Sequence, residues 1–173
     1  FDFYDGGGLD LCYLGLAECD GHGNINVSRF GPRIAGCGGF INITQNTHKV
    51  FFCGTFTAGG LKVKVEDGKV IIAQEGKQKK FLKDVEQITF NGDIALQNKQ
   101  EVMYITERCV FQLKEDGMHL TEIAPGIDLQ TQILDMMDFE PIVDRDANGE
   151  IKLMDAKLFA EGLMGLKEMK ESC

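Results

Sequence analysis

Apolar and polar residues alternate with a period of two through the middle of the chain, a pattern typical of β-strands. Leu61, Val63 and Val65 alternate with charged residues, and Asp67-Gly68 then leads into a second apolar run over 70–73. Alternation on both sides of an Asp-Gly pair predicts a β-hairpin. Other apolar runs predict further strands over 1–5, 9–14, 25–27, 50–56, 85–90 and 102–106, and a second hairpin over 110–123.

Helical spacing is confined to a few short stretches. Apolar residues recur at helical spacing from Leu129 to Met137, directly after Asp128, until Pro141 ends the pattern. A last helix is expected over 155–161, whereas 40–45 fits either a helical turn or an extended segment. These helices are too few to cover both faces of the predicted sheet, so loops or a segment outside this chain must cover one of them.

Composition narrows the class of protein. The chain has 173 residues, of which 43% are apolar and 26% charged, as in a soluble globular domain. Its net charge of −9 argues against binding to a nucleic acid backbone, which requires clustered cations. No apolar run approaches the roughly 18 residues of a membrane-spanning helix. Because the chain begins with Phe1 rather than Met, we expect it to be a fragment of a longer protein.

Six cysteines occur without a Cys-x-x-Cys pair, and all except the last lie in apolar or glycine-rich surroundings. This pattern favours buried, reduced thiols over disulfides or a metal site, and it predicts a cytoplasmic protein. Cys37 is also a candidate nucleophile, with His22 or His48 as its base. Nothing in the sequence places either histidine beside Cys37, so a buried spacer is the simpler interpretation.

Glycine is concentrated at the start of the chain, where 13 of the 21 glycines fall within the first 60 residues. The triple glycine at 6–8 lacks the Lys-Ser/Thr pair of a phosphate-binding P-loop, and a structural turn is expected there. In Gly36-Cys37-Gly38-Gly39, consecutive glycines before an apolar turn can leave backbone N–H groups facing a cleft. Such donors stabilise an oxyanion. The alternative is a loop whose glycines serve only close packing.

Two charged patterns also suggest ligands. Asp144-x-Asp146-x-Asn148-Gly149, with Asp155 at the twelfth position, resembles an EF-hand calcium loop, although the usual bidentate Glu is replaced by Asp. A non-catalytic calcium- or ligand-binding module using 144–155 is therefore the alternative function, and a solvated acidic turn is the alternative structure. A basic group consists of Lys62, Lys64, Lys77, Lys79, Lys80 and Lys83, which form either solvated strand faces or a groove for a phosphate-bearing ligand.

A set of ordered motifs gives the sequence a family resemblance. The motifs are FDFYDGGGLD at 1–10, LGL at 14–16, GNINVS at 23–28, GCGGFINI at 36–43, GTFTAGG at 54–60, ITER at 105–108 and IAPGID at 123–128. Together they resemble the C-terminal part of a family I coenzyme A transferase, in the short-chain acetate and propionate subgroup whose two halves are fused in one chain. The resemblance implies an open α/β/α sandwich with a mixed, largely parallel sheet plus β-hairpins. It assigns 1–140 to the C-terminal transferase domain and 141–173 to a tail with a short helix.

The resemblance also implies a ping-pong transfer of CoA between acyl-CoA and a free carboxylate, with CoA as substrate and no tightly bound cofactor or metal. The family's nucleophilic glutamate lies in a Glu-Pro-Gly or Glu-Asn-Gly turn upstream of the segment that matches Phe1. Gly39, assisted by Gly38, matches the oxyanion donor, and Gly15 matches a position that lines the CoA channel. Lys62 is expected to replace a CoA-contacting lysine of related enzymes. The expected partners are acyl-CoA, a short-chain carboxylate, the missing N-terminal segment and further copies of the enzyme in a homo-oligomer.

Overall fold

The computed structural model describes residues 2–160 and residue 170, and in this part of the chain seven strands form one sheet. The helices are α1 Asp2–Asp5, α2 Phe40–Gln45, α3 Gly92–Gln97 and α4 Leu129–Gln132, with 3-10 turns at Leu134–Met136 and Ala156–Phe159. The strands are β1 Leu11–Gly15, β2 Glu18–Cys19, β3 Ile25–Asn26, β4 Arg29–Phe30, β5 Arg33–Ile34, β6 Lys49–Cys53, β7 Thr57–Ala58, β8 Lys62–Glu66, β9 Lys69–Gln74, β10 Gln78–Lys79, β11 Glu101–Ile105, β12 Cys109–Lys114, β13 Gly117–Ile123, β14 Ile142–Val143 and β15 Lys152–Leu153.

The main sheet has the order β1-β6-β11-β12-β13-β14, and β15 also pairs with β13. Strands β1, β6 and β11 are parallel, β12 is antiparallel to both of its neighbours, and β14 and β15 run parallel to β13. The remaining strands form two-stranded antiparallel pairs, including the predicted β8–β9 hairpin. The mixed, largely parallel sheet with hairpins that the family resemblance implied is confirmed.

Short helices connect the parallel strands on one face of the sheet. Helix α2 lies between β1 and β6 in sequence, and α3 lies between β6 and β11. The ring of Phe40 in α2 stacks on Phe52 of β6 with centroids 5.6 Å apart, and Phe90 packs edge-on against Phe52 at 5.0 Å. Since only three residues separate the end of α2 from the start of β6, the first turn of α2 points towards the end of the sheet where the parallel strands finish.

The opposite face of the same strands is partly exposed, most of all on β1. Leu11 and Tyr13 of β1 are 47% and 64% exposed, and Tyr13 stacks on Phe51 of β6 at 4.9 Å. Phe51 is paired in register with Met103 of β11, so the apolar surface continues across three strands. We call this surface, formed by Leu11, Tyr13, Phe51, Cys53 and Met103, the open sheet face. Parallel sheets are normally covered on both faces, which is why this surface is notable.

Two predicted strands are wrong. Residues 2–5 form a helical turn that ends in glycine, where Gly6 N–H donates to the Asp2 carbonyl at 2.9 Å and Gly7 has a φ of 76°. Residues 85–90 join a strand only through an isolated bridge between Phe90 and Ile25. Apolar alternation alone did not distinguish these segments from strands, because long-range contacts set their backbone.

The helix predicted after Asp128 begins as expected but is shorter. The Asp128 carboxylate accepts the backbone N–H of Thr131 at 2.8 Å, which is a regular N-cap. The chain leaves helical geometry at Ile133, where φ is −123° and the side chain is fully buried. A 3-10 turn follows, and burial of Ile133 takes precedence over a continuous helix. The last predicted helix is a 3-10 turn at Ala156–Phe159, and Glu161 lies outside the described residues.

Candidate active site

The parallel strands β1, β6 and β11 end side by side. Gly15 is paired with Cys53, and Cys53 is paired with Ile105. Just beyond them, Leu16 N–H donates to the Cys53 carbonyl at 3.0 Å and Gly54 N–H donates to the Ile105 carbonyl at 3.0 Å. In open α/β sheets ligands bind at the carboxyl ends of the strands. We call this place the carboxyl edge, and it is the first candidate for a site.

Gly15, which was predicted from the family resemblance, lies at the carboxyl edge. A Cβ atom on Gly15 would meet no other atom within 4 Å, so the space beside this residue is open. Lys62, the other predicted CoA contact, is the exposed first residue of β8 and pairs with Gln74. The structure does not bring Lys62 into contact with Gly15, and its role stays a prediction.

The glycine loop 36–39 lies towards the same edge, because α2 begins there. Gly36 and Gly38 have φ values of 79° and 54°, which glycine adopts more readily than other residues. Gly39 precedes α2 with a φ of −88°, and no side chain caps this helix. Among the residues that the structure describes, no acceptor takes the N–H groups of Gly38 and Gly39. Two backbone donors therefore stay available, as an oxyanion site requires.

A cavity of about 340 Å³ adjoins the glycine loop, with Gly36 and Cys37 in its wall. Its polar wall includes the hydroxyl pair of Ser28 and Thr89, whose oxygens are 2.7 Å apart. Neither histidine proposed as a base for Cys37 lies here. His22 lines a separate cavity with Lys83 and Asp84, and His48 precedes β6 at the opposite end of the sheet. The arrangement does not support a thiol enzyme based on Cys37.

A larger cleft of about 720 Å³ lies on the other side of the β4–β5 hairpin. We call it the edge cleft, and it is lined by Leu16, Ala17, Glu18, Phe30, Arg33, Ala58, Gln78, Lys79, Lys80 and Leu82. The hairpin separates the two spaces, with Arg29 and Ile34 lining the smaller cavity and Phe30 and Arg33 lining the edge cleft. The ammonium of Lys79 is paired with Asp138 at 2.8 Å. The edge cleft is large enough for part of a sizeable organic ligand.

A buried ionic network supports the carboxyl edge. The Arg108 side chain is fully buried, and its Nε lies 2.8 Å from Glu107 Oε1 while its terminal nitrogens contact both oxygens of Glu75 at 2.9 and 3.1 Å. The guanidinium also lies 4.8 Å from the centroid of the Phe56 ring. Phe56 N–H donates to the other Glu107 oxygen at 2.8 Å. The network thus joins the segment after β11 to the segment after β6.

These contacts and the burial of the side chains shift the pKa values of the ionisable groups in and beside the network. Burial tends to raise the pKa of Glu75, but hydrogen bonds from Arg108 and Thr57 outweigh it and hold that pKa below its ordinary value. Burial lowers the pKa of Arg108, and the carboxylates of Glu75 and Glu107 more than compensate, so the guanidinium stays charged. Burial lowers the pKa of Lys80, which the charge of Glu107 opposes.

Sequence reasoning missed this network. Glu107 and Arg108 were recognised only as part of a family motif, and Glu75 was not singled out. The available signal was a Glu-Arg pair directly after the buried strand β11, because charged residues at such a position must find partners. The partner Glu75 is remote in sequence, so no local pattern could identify it.

The acidic loop 144–155 does not form the predicted calcium site. Asp146 accepts the backbone N–H groups of Asn148 and Glu150 at 2.8 and 2.9 Å, and Asp155 accepts that of Lys157 at 2.9 Å. These carboxylates therefore close local turns instead of converging on one point. Within residues 2–160 and at residue 170, no group of three or more His, Cys, Asp or Glu side chains is placed to hold a metal ion.

Asp144 has a different partner from the rest of the loop. His119 contacts Asp144 through Nδ1 at 2.6 Å and Asp116 through Nε2 at 2.8 Å, and Lys114 lies 2.9 Å from the second oxygen of Asp144. The hydrogen bond with His119 holds the pKa of Asp116 below its ordinary value. For Asp144, burial raises the pKa, but His119 and Lys114 outweigh it and lower the pKa. Asp144 thus fastens the segment after β14 to the sheet.

The cysteines are mostly as predicted. The five described cysteines are free, and Cys12, Cys19 and Cys109 are buried, which raises the pKa of each thiol. Cys37 is half-buried. Cys53 differs, because it ends β6 on the open sheet face and is exposed.

None of the helices in the described part of the chain has the length and apolar character needed to cross a membrane.

Comparison with known proteins places the chain beside CoA-transferases. It is 56% identical over 165 residues to the acetate CoA-transferase YdiF of Escherichia coli K12, and 55% identical over 171 residues to the caffeate CoA-transferase of Acetobacterium woodii. These alignments cover 95% and 96% of the chain but only 30% and 32% of the two relatives. The chain therefore spans about a third of their length. No family model matches.

Solved structures give the same result. The chain superposes on the acyl-CoA transferase YdiF apoenzyme from E. coli O157:H7 with a TM-score of 0.89, at 56% identity over 95% of the chain and 31% of that structure. A thioester complex of YdiF with CoA matches equally well. The decarboxylase AibA/AibB, at 15% identity and a TM-score of 0.65 over 98% of the chain and 59% of that structure, shares the fold alone.

Proposed function

Because the chain belongs to the coenzyme A transferases, as its motifs predicted, we propose that it is part of an enzyme that moves CoA between a short-chain acyl-CoA and a free carboxylate. In this proposal the chain is the C-terminal part of the enzyme, with residues 1–140 in the transferase domain and 141–173 as a tail. The observation that carries the proposal is the glycine loop, whose unpaired N–H groups lie towards the carboxyl edge.

The proposed reaction needs a carboxylate nucleophile and donors for an oxyanion. A glutamate carboxylate attacks the thioester carbonyl, the tetrahedral intermediate collapses, and CoA thiolate leaves behind a mixed anhydride. The thiolate then attacks the glutamyl carbonyl, which releases the first acid and forms a glutamyl-CoA thioester. An acceptor carboxylate reverses both steps. Each addition creates an oxyanion, to which the N–H of Gly39 would donate, while Gly38 lets the backbone approach closely.

The nucleophile is proposed to lie outside this chain. Glu107 is held by Arg108 through one carboxylate oxygen and by Phe56 N–H through the other. Glu18, in the wall of the edge cleft, accepts a hydrogen bond from Asn26 at 2.7 Å. Both oxygens of Glu107 are thus engaged, and Glu18 is tied to Asn26 through one of its oxygens. This supports a glutamate supplied by the part of the enzyme that the relatives contain and this chain does not match.

CoA enters the proposal as a substrate that binds and leaves, with no tightly bound cofactor. Gly15 would line its channel, since the carboxyl edge beside it is open, and Lys62 would contact it from the β8–β9 hairpin. The acyl-CoA and carboxylate would meet at the carboxyl edge. The proposal includes a cytoplasmic location, because free cysteines suit a reducing compartment. It also includes a homo-oligomer, as the family resemblance implies.

The open sheet face supports a further partner, the remainder of the enzyme. Its apolar side chains cover three parallel strands, and such strands are usually packed on both sides. The relatives are about three times as long as this chain, so they contain enough additional sequence to cover the face. We assign the open sheet face to contact with that remainder rather than to solvent.

A chimera tests the proposed function. This chain would replace the matching segment of E. coli YdiF, and transfer of CoA from acetyl-CoA to propionate would be measured. The parent chimera should be active. Gly39→Pro removes the N–H, and the φ of −88° at this position is about 20° from the value that proline fixes. It should lower kcat by about 100- to 1000-fold, as for loss of one oxyanion donor.

The matched control is Gly39→Ala, which keeps the N–H and has no difficulty with a φ of −88°. It should retain activity within about tenfold of the parent. Melting curves of both variants would verify that they fold. Equal activity of the two variants would refute the role of the Gly39 N–H, and an inactive but folded parent chimera would refute the proposed function.

A further inference from the structure

Lys80 is a buried cation that the proposed reaction does not use. The residue lines the edge cleft and is 7% exposed. The Nζ atom lies 2.6 Å from the Thr55 carbonyl oxygen, and a Cβ on Gly54 would come within 3.1 Å of it. The ammonium therefore lies at the carboxyl edge, directly against the end of β6.

The hydrogen bonds of this ammonium are incomplete. An ammonium has three N–H donors, but among residues 2–160 and 170 only the Thr55 carbonyl accepts one from Lys80. Glu107 attracts the ammonium electrostatically, yet its own oxygens are occupied by Arg108 and Phe56. A buried charge is costly unless it is paired and hydrogen-bonded. Lys80 is therefore the second cation beside the two carboxylates of the network, and its other N–H groups can donate to a bound anion.

The walls of the edge cleft indicate which anion would fit. Leu16, Phe30 and Leu82 provide apolar surface next to the single buried cation. Arg33 and Lys79 also line the cleft, but both are exposed and Lys79 is paired with Asp138 at 2.8 Å. Glu18 in the same wall would repel a dianionic phosphate more strongly than a monoanion. One ammonium beside apolar surface fits a monocarboxylate with an apolar body. The ammonium would bind the carboxylate, and the apolar side chains would contact the hydrocarbon part.

We propose that Lys80 binds the carboxylate of an organic monocarboxylic acid in the edge cleft. The inference rests on the proposed function, and it deepens it by giving the free acid a binding residue on this chain. Lys80 is then a substrate-binding residue that distinguishes the acid from acyl-CoA. Gly54 belongs to the same arrangement, because any side chain there would crowd the ammonium.

The test uses the chimera with YdiF and two matched variants, Lys80→Met and Lys49→Met. Lys49 is exposed at the start of β6, at the opposite end of the sheet, and pairs with Glu101 at 3.0 Å. Loss of a charge-assisted hydrogen bond should raise the KM for acetate about 10- to 100-fold in Lys80→Met. The KM for acetyl-CoA should stay within about twofold, and Lys49→Met should change neither value.

Binding is measured independently of turnover. Sodium acetate, compared with sodium chloride at equal ionic strength, should raise the melting temperature of the parent and of Lys49→Met but not that of Lys80→Met. If Lys80→Met does not fold, parent crystals soaked with 4-bromobenzoate provide the second measurement. Anomalous scattering should place its carboxylate within hydrogen-bond distance of Lys80 Nζ.

The outcomes separate this inference from the proposed function. The chimera could transfer no CoA and still show a rise in melting temperature with acetate that depends on Lys80. That result would support the binding site and refute the transferase proposal. An active chimera in which Lys80→Met leaves the acetate KM and the acetate-induced melting shift unchanged would refute the binding site. An equal rise in both KM values, or 4-bromobenzoate absent from the edge cleft, would also refute it.

Discussion

Arg108→Met is expected to destabilise the chain by about 3–5 kcal/mol, because it leaves the carboxylates of Glu75 and Glu107 partly buried without their cation. The Arg108 side chain is fully buried and makes hydrogen bonds to both carboxylates and to the Gln132 carbonyl at 2.8 Å. Methionine replaces the length of the side chain but none of its donors. Urea-induced unfolding, followed by circular dichroism, would measure the change in the free energy of unfolding.

The matched control for Arg108 is Arg29→Met. Arg29 also pairs with a glutamate, Glu86, at 3.4 Å, but its side chain is 54% exposed. Exposed ion pairs contribute about 0–1 kcal/mol, so this variant should unfold at nearly the parent urea concentration. Similar losses for the two variants would contradict a special role for the buried network at the carboxyl edge.

Gly92→Ala is expected to cost about 3 kcal/mol or more, because the new Cβ would overlap the backbone carbonyl oxygen of His22. Gly92 is the buried first residue of α3, and its N–H donates to Asn24 Oδ1 at 3.0 Å. The backbone on the other side is also fixed, since Tyr104 donates to the Gly23 carbonyl at 2.6 Å. Neither segment can move without losing a buried hydrogen bond.

Gly15→Ala is the control for Gly92. A Cβ at Gly15 meets no atom within 4 Å, and the residue ends a strand, so the free energy of unfolding should change by less than about 0.5 kcal/mol. The same urea titration compares the two variants. Equal free energies of unfolding for Gly92→Ala and Gly15→Ala would contradict the close contact between α3 and the turn at 22–23.

The sequence predicted the regular parts of the fold because their signals are local. The β8–β9 hairpin follows from alternation around Asp67-Gly68, and both turn residues have positive φ, at 51° and 72°. The segments over 1–5 and 85–90 were mistaken for strands. Thr89, in the second of these segments, is instead hydrogen-bonded through its hydroxyl to Ser28, which lies 61 positions earlier in the sequence. Such contacts are invisible to periodicity.

The candidate site was predictable only where backbone geometry demands a particular residue. Glycines at 36 and 38 revealed the loop, because their positive φ values favour glycine. The resemblance supplied the role proposed for Gly39. Lys80 was assigned only to a general basic group, since its burial depends on Gly54 and Thr55, which lie in the loop between β6 and β7. Burial of a charge is a property of the tertiary structure.

The central claim is that this chain supplies the oxyanion donors and the carboxyl edge of a CoA-transferase, whereas the nucleophilic glutamate comes from the rest of the enzyme. Its most direct test treats the chimera with acetyl-CoA and then with borohydride, which reduces a glutamyl-CoA thioester to an alcohol and releases CoA. Peptide mass mapping should find the reduced glutamate in the YdiF portion, outside residues 1–173 of this chain. A reduced glutamate at Glu18 or Glu107 would contradict the claim.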